Sequence, residues 1–266
     1  SAADNVWLVG SGGTRFHFDG TRLESVPAAP SINFLSVAVS ATEVWVGDAS
    51  GGVSRRAVVE WAPVPVHPGA LYAAWYRSAS DVWVGGVGGV RHFDGCQWSA
   101  PELTSMTVRA IKGTSATDVW AVGDSGKAAR FDGVSWSMVT TPTTVTLNAV
   151  APTSTSEVWV AGNSGTLLRW SGTSFSTVAL ALTESLVDLD AFAPNDVVLT
   201  AQTIRRRWNG VSWVQFGLTG LDIAQSTWGP SRAELWSVGI GATDYTAASY
   251  SDGATLTRFS LPTNGN

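Results

Sequence analysis

Between Asp118 and Trp136 apolar and polar residues alternate in short runs broken by glycine turns, and nothing in the stretch calls for a helix. Asp118-Val119-Trp120-Ala121-Val122-Gly123 reads as a strand and Asp124-Ser125-Gly126 as a turn. Lys127 to Phe131 reads as the returning strand, Asp132-Gly133 as a second turn, and Trp136 as the start of a third strand.

The same pattern recurs seven times. The aromatic residue of its first strand returns as Trp7, Trp45, Trp83, Trp120, Trp159, Val198 and Trp236, at intervals of 38, 38, 37, 39, 39 and 38 residues. Two positions earlier stand Asn5, Glu43, Asp81, Asp118, Glu157, Asp196 and Glu234, polar every time and acidic in six of the seven. The second turn returns as Asp19-Gly20, Asp94-Gly95, Asp132-Gly133, Ser171-Gly172, Asn209-Gly210 and Asp252-Gly253, while the second repeat offers Ala57-Val58. The strand beyond it opens with Trp61, Trp98, Trp136, Phe175 and Trp213, weakening to Leu23 and Leu256 at the two ends.

Ahead of each tryptophan from the second repeat onward lies a further apolar run: Phe34 to Val39, Leu71 to Trp75, Val108 to Ile111, Leu147 to Val150, Leu186 to Leu189 and Leu221 to Ala224. Each unit therefore has four strands, here lettered A to D, with the tryptophan on B and the Asp-Gly turn between C and D. Four-stranded units at a period near 38 residues predict an all-β chain, a seven-bladed β-propeller occupying 1–266 as a single domain. The inner strand A of blade one is not evident.

The repeat resembles two related families of propeller unit. Asp132-Gly133-Val134-Ser135-Trp136 is similar to a shortened Asp-box (BNR-like) turn, without the residue that family places between Asp and Gly. Leu147 to Val178 is similar throughout to a tectonin-type repeat, with its apolar A strand, Val-Trp B strand, glycine turn, aromatic and final aromatic strand. Tectonin-like propellers are typically lectins or surface-recognition modules, so the resemblance implies a non-catalytic, carbohydrate-binding (lectin-like) module with multiple weak sites. Asp-box repeats also occur in sialidases, whose catalytic residues lie away from the box, and no catalytic residue carries over.

Composition narrows the field. A net charge of −5 and a pI near 5.1 give no electrostatic reason to expect nucleic acid. No apolar run approaches the roughly 18 residues that a membrane span needs, and Ser1 to Asn5 carries no signal-like segment. Two lysines, Lys112 and Lys127, amid abundant Ser and Thr suit an extracellular, bacterial surface. The lone Cys96 excludes an internal disulfide and reads as a small filler in a turn.

Candidate chemistry is sparse. His17, His92, Arg130, Arg169 and Arg207 stand two residues before the turn residue, at the end of strand C, beside the acid that opens B. They read as structural pairs within each blade. His67 sits in a connecting loop, no two histidines have metal-ligand spacing, and no cofactor is implied. Gly85-Gly86-Val87-Gly88-Gly89 precedes no helix and offers no phosphate cradle. Arg205-Arg206-Arg207 reads as a solvated or paired strand whose alternate arginines face opposite ways.

Twelve of the fourteen tryptophans occupy repeat slots and read as packing between blades. Trp75 and Trp228 are the exceptions, eight residues before a B-strand tryptophan, in the slot that Lys112 and Asp190 fill elsewhere. There, with Tyr76, Arg77 and Asp188, they form one candidate ligand site at the channel mouth, where rings stack on a sugar and polar neighbours hold its hydroxyls. Large side chains plugging the channel are the structural alternative. Asp124, Ser125, Asn163 and Ser164 in the B–C turns, with the turn at Thr243 to Tyr245, form a second candidate surface. The expected partner is a glycan or cell-surface polysaccharide. The alternative function is a protein–protein interaction scaffold, and behind it a glycosidase- or lyase-type enzyme with its site at the channel mouth.

Overall fold

The computed structural model describes residues 5–26, 32–56, 61–218, 223–231, 234–240, 247–251 and 256–260. Ala57-Val58, Asp252-Gly253 and the turn at Thr243 to Tyr245 lie outside them. The described strands form seven antiparallel sheets in chain order, the seven-bladed β-propeller fold. In the fourth repeat strands A to D are Val108–Ser115, Asp118–Gly123, Ala128–Phe131 and Trp136–Val139. The first sheet has three described strands, Val6–Val9, Arg15–Phe18 and Leu23–Ser25, with no A strand among the described residues. Contacts divide the chain into two compact units, 1–124 with 129–138, and 125–128 with 139–266.

The third sheet also has three strands, where a D strand was expected. Its fourth position is reduced to two isolated bridges, Val90 to Glu102 and Phe93 to Trp98. Pro101 falls between them, and its lack of an N–H breaks the ladder there.

The B-strand tryptophans are the core. Trp83, Trp120 and Trp159 are almost completely buried. Three of the B-strand rings pack on the aromatics at the C–D end of the following blade: Trp45 on Phe93 and Trp98, Trp83 on Phe131 and Trp136, Trp159 on Trp208 and Trp213, with centroids 5.1–6.0 Å apart. Burying one such indole is worth roughly 4–6 kcal/mol of gross hydrophobic stabilisation.

The C–D turns are closed by their aspartates. Asp132 Oδ1 accepts the N–H groups of Val134 and Ser135, both at 2.9 Å, and Asp94 and Asn209 do the same in their own turns. The glycine that follows has φ +98° at Gly133, the left-handed region that glycine enters without strain. It also lets the turn rest on the A–B turn, since a Cβ on Gly133 would lie 2.6 Å from Thr117 Cγ2.

Candidate functional site

The acid that opens strand B works inside the blade. Asp118 Oδ1 accepts from Arg130 Nε at 2.8 Å and from the Trp120 indole at 3.3 Å, and its Oδ2 accepts from Thr114 Oγ1 at 2.6 Å. Arg130 lies over the Trp120 ring, 5.4 Å from its centroid. In the third repeat Asp81 holds the Trp83 indole at 2.9 Å, His92 Nε2 at 2.8 Å, and Arg77. Burial pushes the Asp81 carboxyl up, but the Arg77, His92 and Trp83 donors outweigh it and hold the pKa below the usual range. In the first repeat Asn5 Oδ1 takes both the Trp7 indole and His17 Nε2 at 3.0 Å, so His17 carries a proton on Nε2. Arg169 pairs with Glu157 at 3.0 Å and Arg207 with Asp196 at 2.7 Å. The expected structural pairing is present, and the second repeat joins it through Arg55 and Glu43. That member was hidden because the turn used to find the position is absent there.

Two irregularities in strand A decide which side chains leave the ladder. Near the A–B turn the register skips Arg77, Thr114, Thr153 and Phe192. The first two reach the acids just described, and Thr153 Oγ1 donates to the Glu157 carbonyl at 3.1 Å. At the other end the register skips Leu35, Tyr72, Arg109, Asn148, Val187 and Gln225, one in each described A strand. A bulge of this kind re-aims a side chain without disturbing the rest of the strand.

Two of these bulge residues, Arg109 and Asn148, meet the B–C turns. Arg109 grips Asp124 with Nε to Oδ1 at 2.8 Å and Nη2 to Oδ2 at 3.1 Å, while its guanidinium lies 4.3 Å from the Tyr72 ring centroid. The Asp124 carboxylate raises the Arg109 pKa further. In the next repeat Asn148 Nδ2 donates to Asn163 Oδ1 at 2.8 Å and to the Leu186 carbonyl at 2.9 Å. The turn candidates Asp124 and Asn163 therefore sit in equivalent places, each held by the bulge residue fifteen positions earlier. Ser125 and Ser164 follow them with φ of 59° and 55°, left-handed conformations that few serines adopt. Arg109 and Asp124 each keep about a third of their side chain exposed, and Leu35 is 40% exposed.

The tryptophan slot lies within strand A and not at its end, since the third repeat's strand runs from Leu71 through Trp75 to Ser78. Trp75 faces Trp83, Lys112 faces Trp120, Asp190 faces Val198 and Trp228 faces Trp236 across the A–B ladder. Trp75 is half-buried with its ring edge against Gly113, where a Cβ would lie 2.6 Å from Cη2. Tyr76 packs on the core that holds Trp45, and Arg77 is bound to Asp81. In the second unit Asp188 Oδ2 accepts from Ser226 Oγ at 2.8 Å and the Thr227 amide at 2.9 Å, joining the A strands of the sixth and seventh repeats beside Trp228. Among the described residues no group of three or more His, Cys, Asp or Glu side chains is placed to hold a metal ion.

No protein-family model matches the chain, and no curated protein does. Solved structures do match its fold. YCF48 bound to D1 peptide superposes with a TM-score of 0.71 at 16% identity, covering 98% of this chain and 91% of that one. U3-55K gives 0.75 at 11% identity, covering 93% and 92%. The RRP9 WD40 repeats give 0.73 at 10% identity, covering 93% and 91%. At such identities the likeness is one of fold.

Proposed function

We propose that the chain is a non-catalytic recognition propeller that binds a peptide or protein segment at the bulged A-strand ends that carry Tyr72 and Arg109. The observation that carries this reading is the constant bulge with changing residues. The backbone irregularity is kept at the same slot in six repeats, while its side chain is Leu35, Tyr72, Arg109, Asn148, Val187 or Gln225. Arg109 and Asn148 are matched to their own turn residues, but Leu35 and Gln225 are exposed, and a surface read by a partner uses a different residue in each blade. Tyr and Arg, which stack here as Tyr72 and Arg109, are also the side chains that dominate binding energy at protein interfaces.

A propeller of the same fold is known with a peptide bound, YCF48 with its D1 peptide, which adds support at the level of fold. The Asp-capped C–D turn keeps the likeness to Asp-box and tectonin units, yet its parts are used within the turn itself. The residues that favoured a sugar are largely spent elsewhere, Trp75 on Gly113, Arg77 on Asp81 and Asp188 on the neighbouring strand. The test is to pan a random peptide library on the wild-type protein and on the Tyr72→Ala/Arg109→Ala double variant, with a glycan array beside it. Enrichment of a peptide motif by the wild type that the double variant loses supports the reading. Saturable glycan binding without peptide enrichment sinks it.

A further inference from the structure

The sixth repeat buries a charge on strand C, at the position that Arg15 fills in the first repeat. Arg205 is the first paired residue of strand C there, opposite Thr200, and is only 2% exposed. The same position holds Val53, Val90 and Leu167 in the second, third and fifth repeats, all buried apolar residues, and Arg15, which lies over the Phe34 ring, in the first. The expectation of a solvated arginine run is therefore corrected for this member. Arg207 pairs with Asp196 and Arg206 donates to the Leu180 carbonyl at 2.6 Å, but Arg205 points into the layer between the sixth and seventh sheets.

The facing layer has changed with it. Thr227 and Ser237 stand where Ile111 and Ala121, Val150 and Val160, or Leu189 and Leu199 stand in other repeats. Ser249 lies opposite Ser237 in the seventh sheet, where the fifth has Leu168. All three hydroxyl residues are at most 4% exposed, and Thr227 Oγ1 lies 2.9 Å from Ser237 Oγ. Arg205 donates through Nη2 to Ser237 Oγ, its Nε is buried without an acceptor, and no carboxylate among the described residues pairs with it. Burial brings the guanidinium pKa down to about 10, so it is still charged at neutral pH.

A guanidinium offers five N–H donors, and a buried cation without a counter-charge is strongly disfavoured. Hydroxyl groups can turn their protons toward an anion as readily as they accept from a cation. We propose that Arg205, Thr227 and Ser237 form a site for a small monovalent anion of halide size between the sixth and seventh sheets. The anion neutralises the guanidinium and takes the hydroxyl protons of Thr227 and Ser237, which ties its binding to the pairing of these two blades.

The experiment is a thermal denaturation series in sodium chloride against sodium gluconate at constant ionic strength and pH 7, with gluconate as the anion too large to enter. The wild-type midpoint should rise with chloride by about 3 °C per tenfold once the site begins to fill. Arg205→Leu, which restores the side chain found in the fifth repeat, should abolish the difference between the two salts. Thr227→Val, nearly isosteric and without the hydroxyl, should weaken it if Arg205→Leu fails to fold. A bromide-soaked crystal should show an anomalous peak within hydrogen-bonding distance of Arg205. Equal midpoints in chloride and gluconate for the wild type, or ordered water without bromide at that position, overturns the proposal.

Discussion

Arg130 and Asp118 are opposed across a blade with Nε 2.8 Å from Oδ1, the carboxylate almost fully buried and the guanidinium open to solvent at its rim. The acid is the shared acceptor of its blade, since Arg130, Trp120 and Thr114 all donate to it. Asp118→Ala removes the buried charge, leaves Arg130 to solvent and takes one acceptor from Trp120 and Thr114, and should cost about 1–2 kcal/mol. Arg130→Leu leaves the almost fully buried carboxylate without a counter-charge and should cost about 3–5 kcal/mol. Guanidinium chloride unfolding of the two variants checks the asymmetry, and equal losses would refute it.

The turn aspartates should make the protein acid-sensitive in a defined direction. Asp132 and Asp94 are held below the ordinary carboxyl range by the backbone N–H groups they accept, chiefly those of Ser135 and Gln97, and the Thr21 hydroxyl and neighbouring amides do the same for Asp19. A depressed folded-state pKa contributes stability that is present above the unfolded value, near pH 4, and is lost as pH falls through the folded value. Asp132→Asn keeps an oxygen acceptor, as Asn209 does naturally. It should match the wild type less closely at pH 7 than at pH 3, where the difference shrinks. Midpoints of urea unfolding from pH 7 down to pH 3 decide this, and a gap that widens toward acid would contradict the assignment.

Gly133 and Gly172 occupy equivalent turns at φ of +98° and +94°, yet their neighbours differ. A Cβ at 133 would meet Thr117 Cγ2 at 2.6 Å and Cβ at 2.9 Å, whereas at 172 the nearest atom is Ser156 Cβ at 3.4 Å. Gly172→Ala should therefore cost about 1 kcal/mol from backbone conformation alone, and Gly133→Ala about 2–3 kcal/mol because the A–B turn must also move. Unfolding curves for the pair separate the two contributions.

The repeat was legible because each blade needs an indole to fill the layer against the next, so the tryptophan period marks the B strands directly. The acid two residues earlier and the basic group on strand C were legible for the same reason, as partners that the indole and its neighbour require. The bulges were hidden. The bulge falls at the same place in each of the six described A strands, so the extra residue leaves the period unchanged, and only the pairing register reveals it. Arg205 was hidden by its neighbours, because a run of three arginines reads as solvated until the apolar slot opposite Thr200 is known.

Recognition and stability should separate at Arg109. Its ion pair with Asp124 is about a third exposed on each side, so Arg109→Ala should lower stability by at most about 1 kcal/mol. Tyr72 loses its stacked and hydrogen-bonded neighbour but keeps its place in the strand. If the bulge residues are read by a partner, the same substitution should weaken a selected peptide by about tenfold or more. Calorimetric titration alongside thermal unfolding measures both quantities on one sample, and loss of binding in proportion to loss of fold would remove the case for a surface role.

Trp75 distinguishes the two uses of an aromatic ring most directly. Its edge fills the space above Gly113, it faces the buried Trp83 across the ladder, and it belongs to the core that contains Val108, Ile111 and Val119. Truncating a half-buried tryptophan in such a setting should cost about 2–3 kcal/mol, below the range for a fully enclosed ring. A sugar-stacking platform would behave in the opposite way, since a ring face kept for a ligand contributes little to folding and much to binding. Trp75→Phe should then recover part of the packing and little of the stacking area. Denaturation of the Ala and Phe variants, each followed by intrinsic fluorescence during a glycan titration, reads both effects. A Trp75→Ala protein as stable as the wild type that has lost saturable glycan quenching would return this ring to a carbohydrate site and displace the peptide reading.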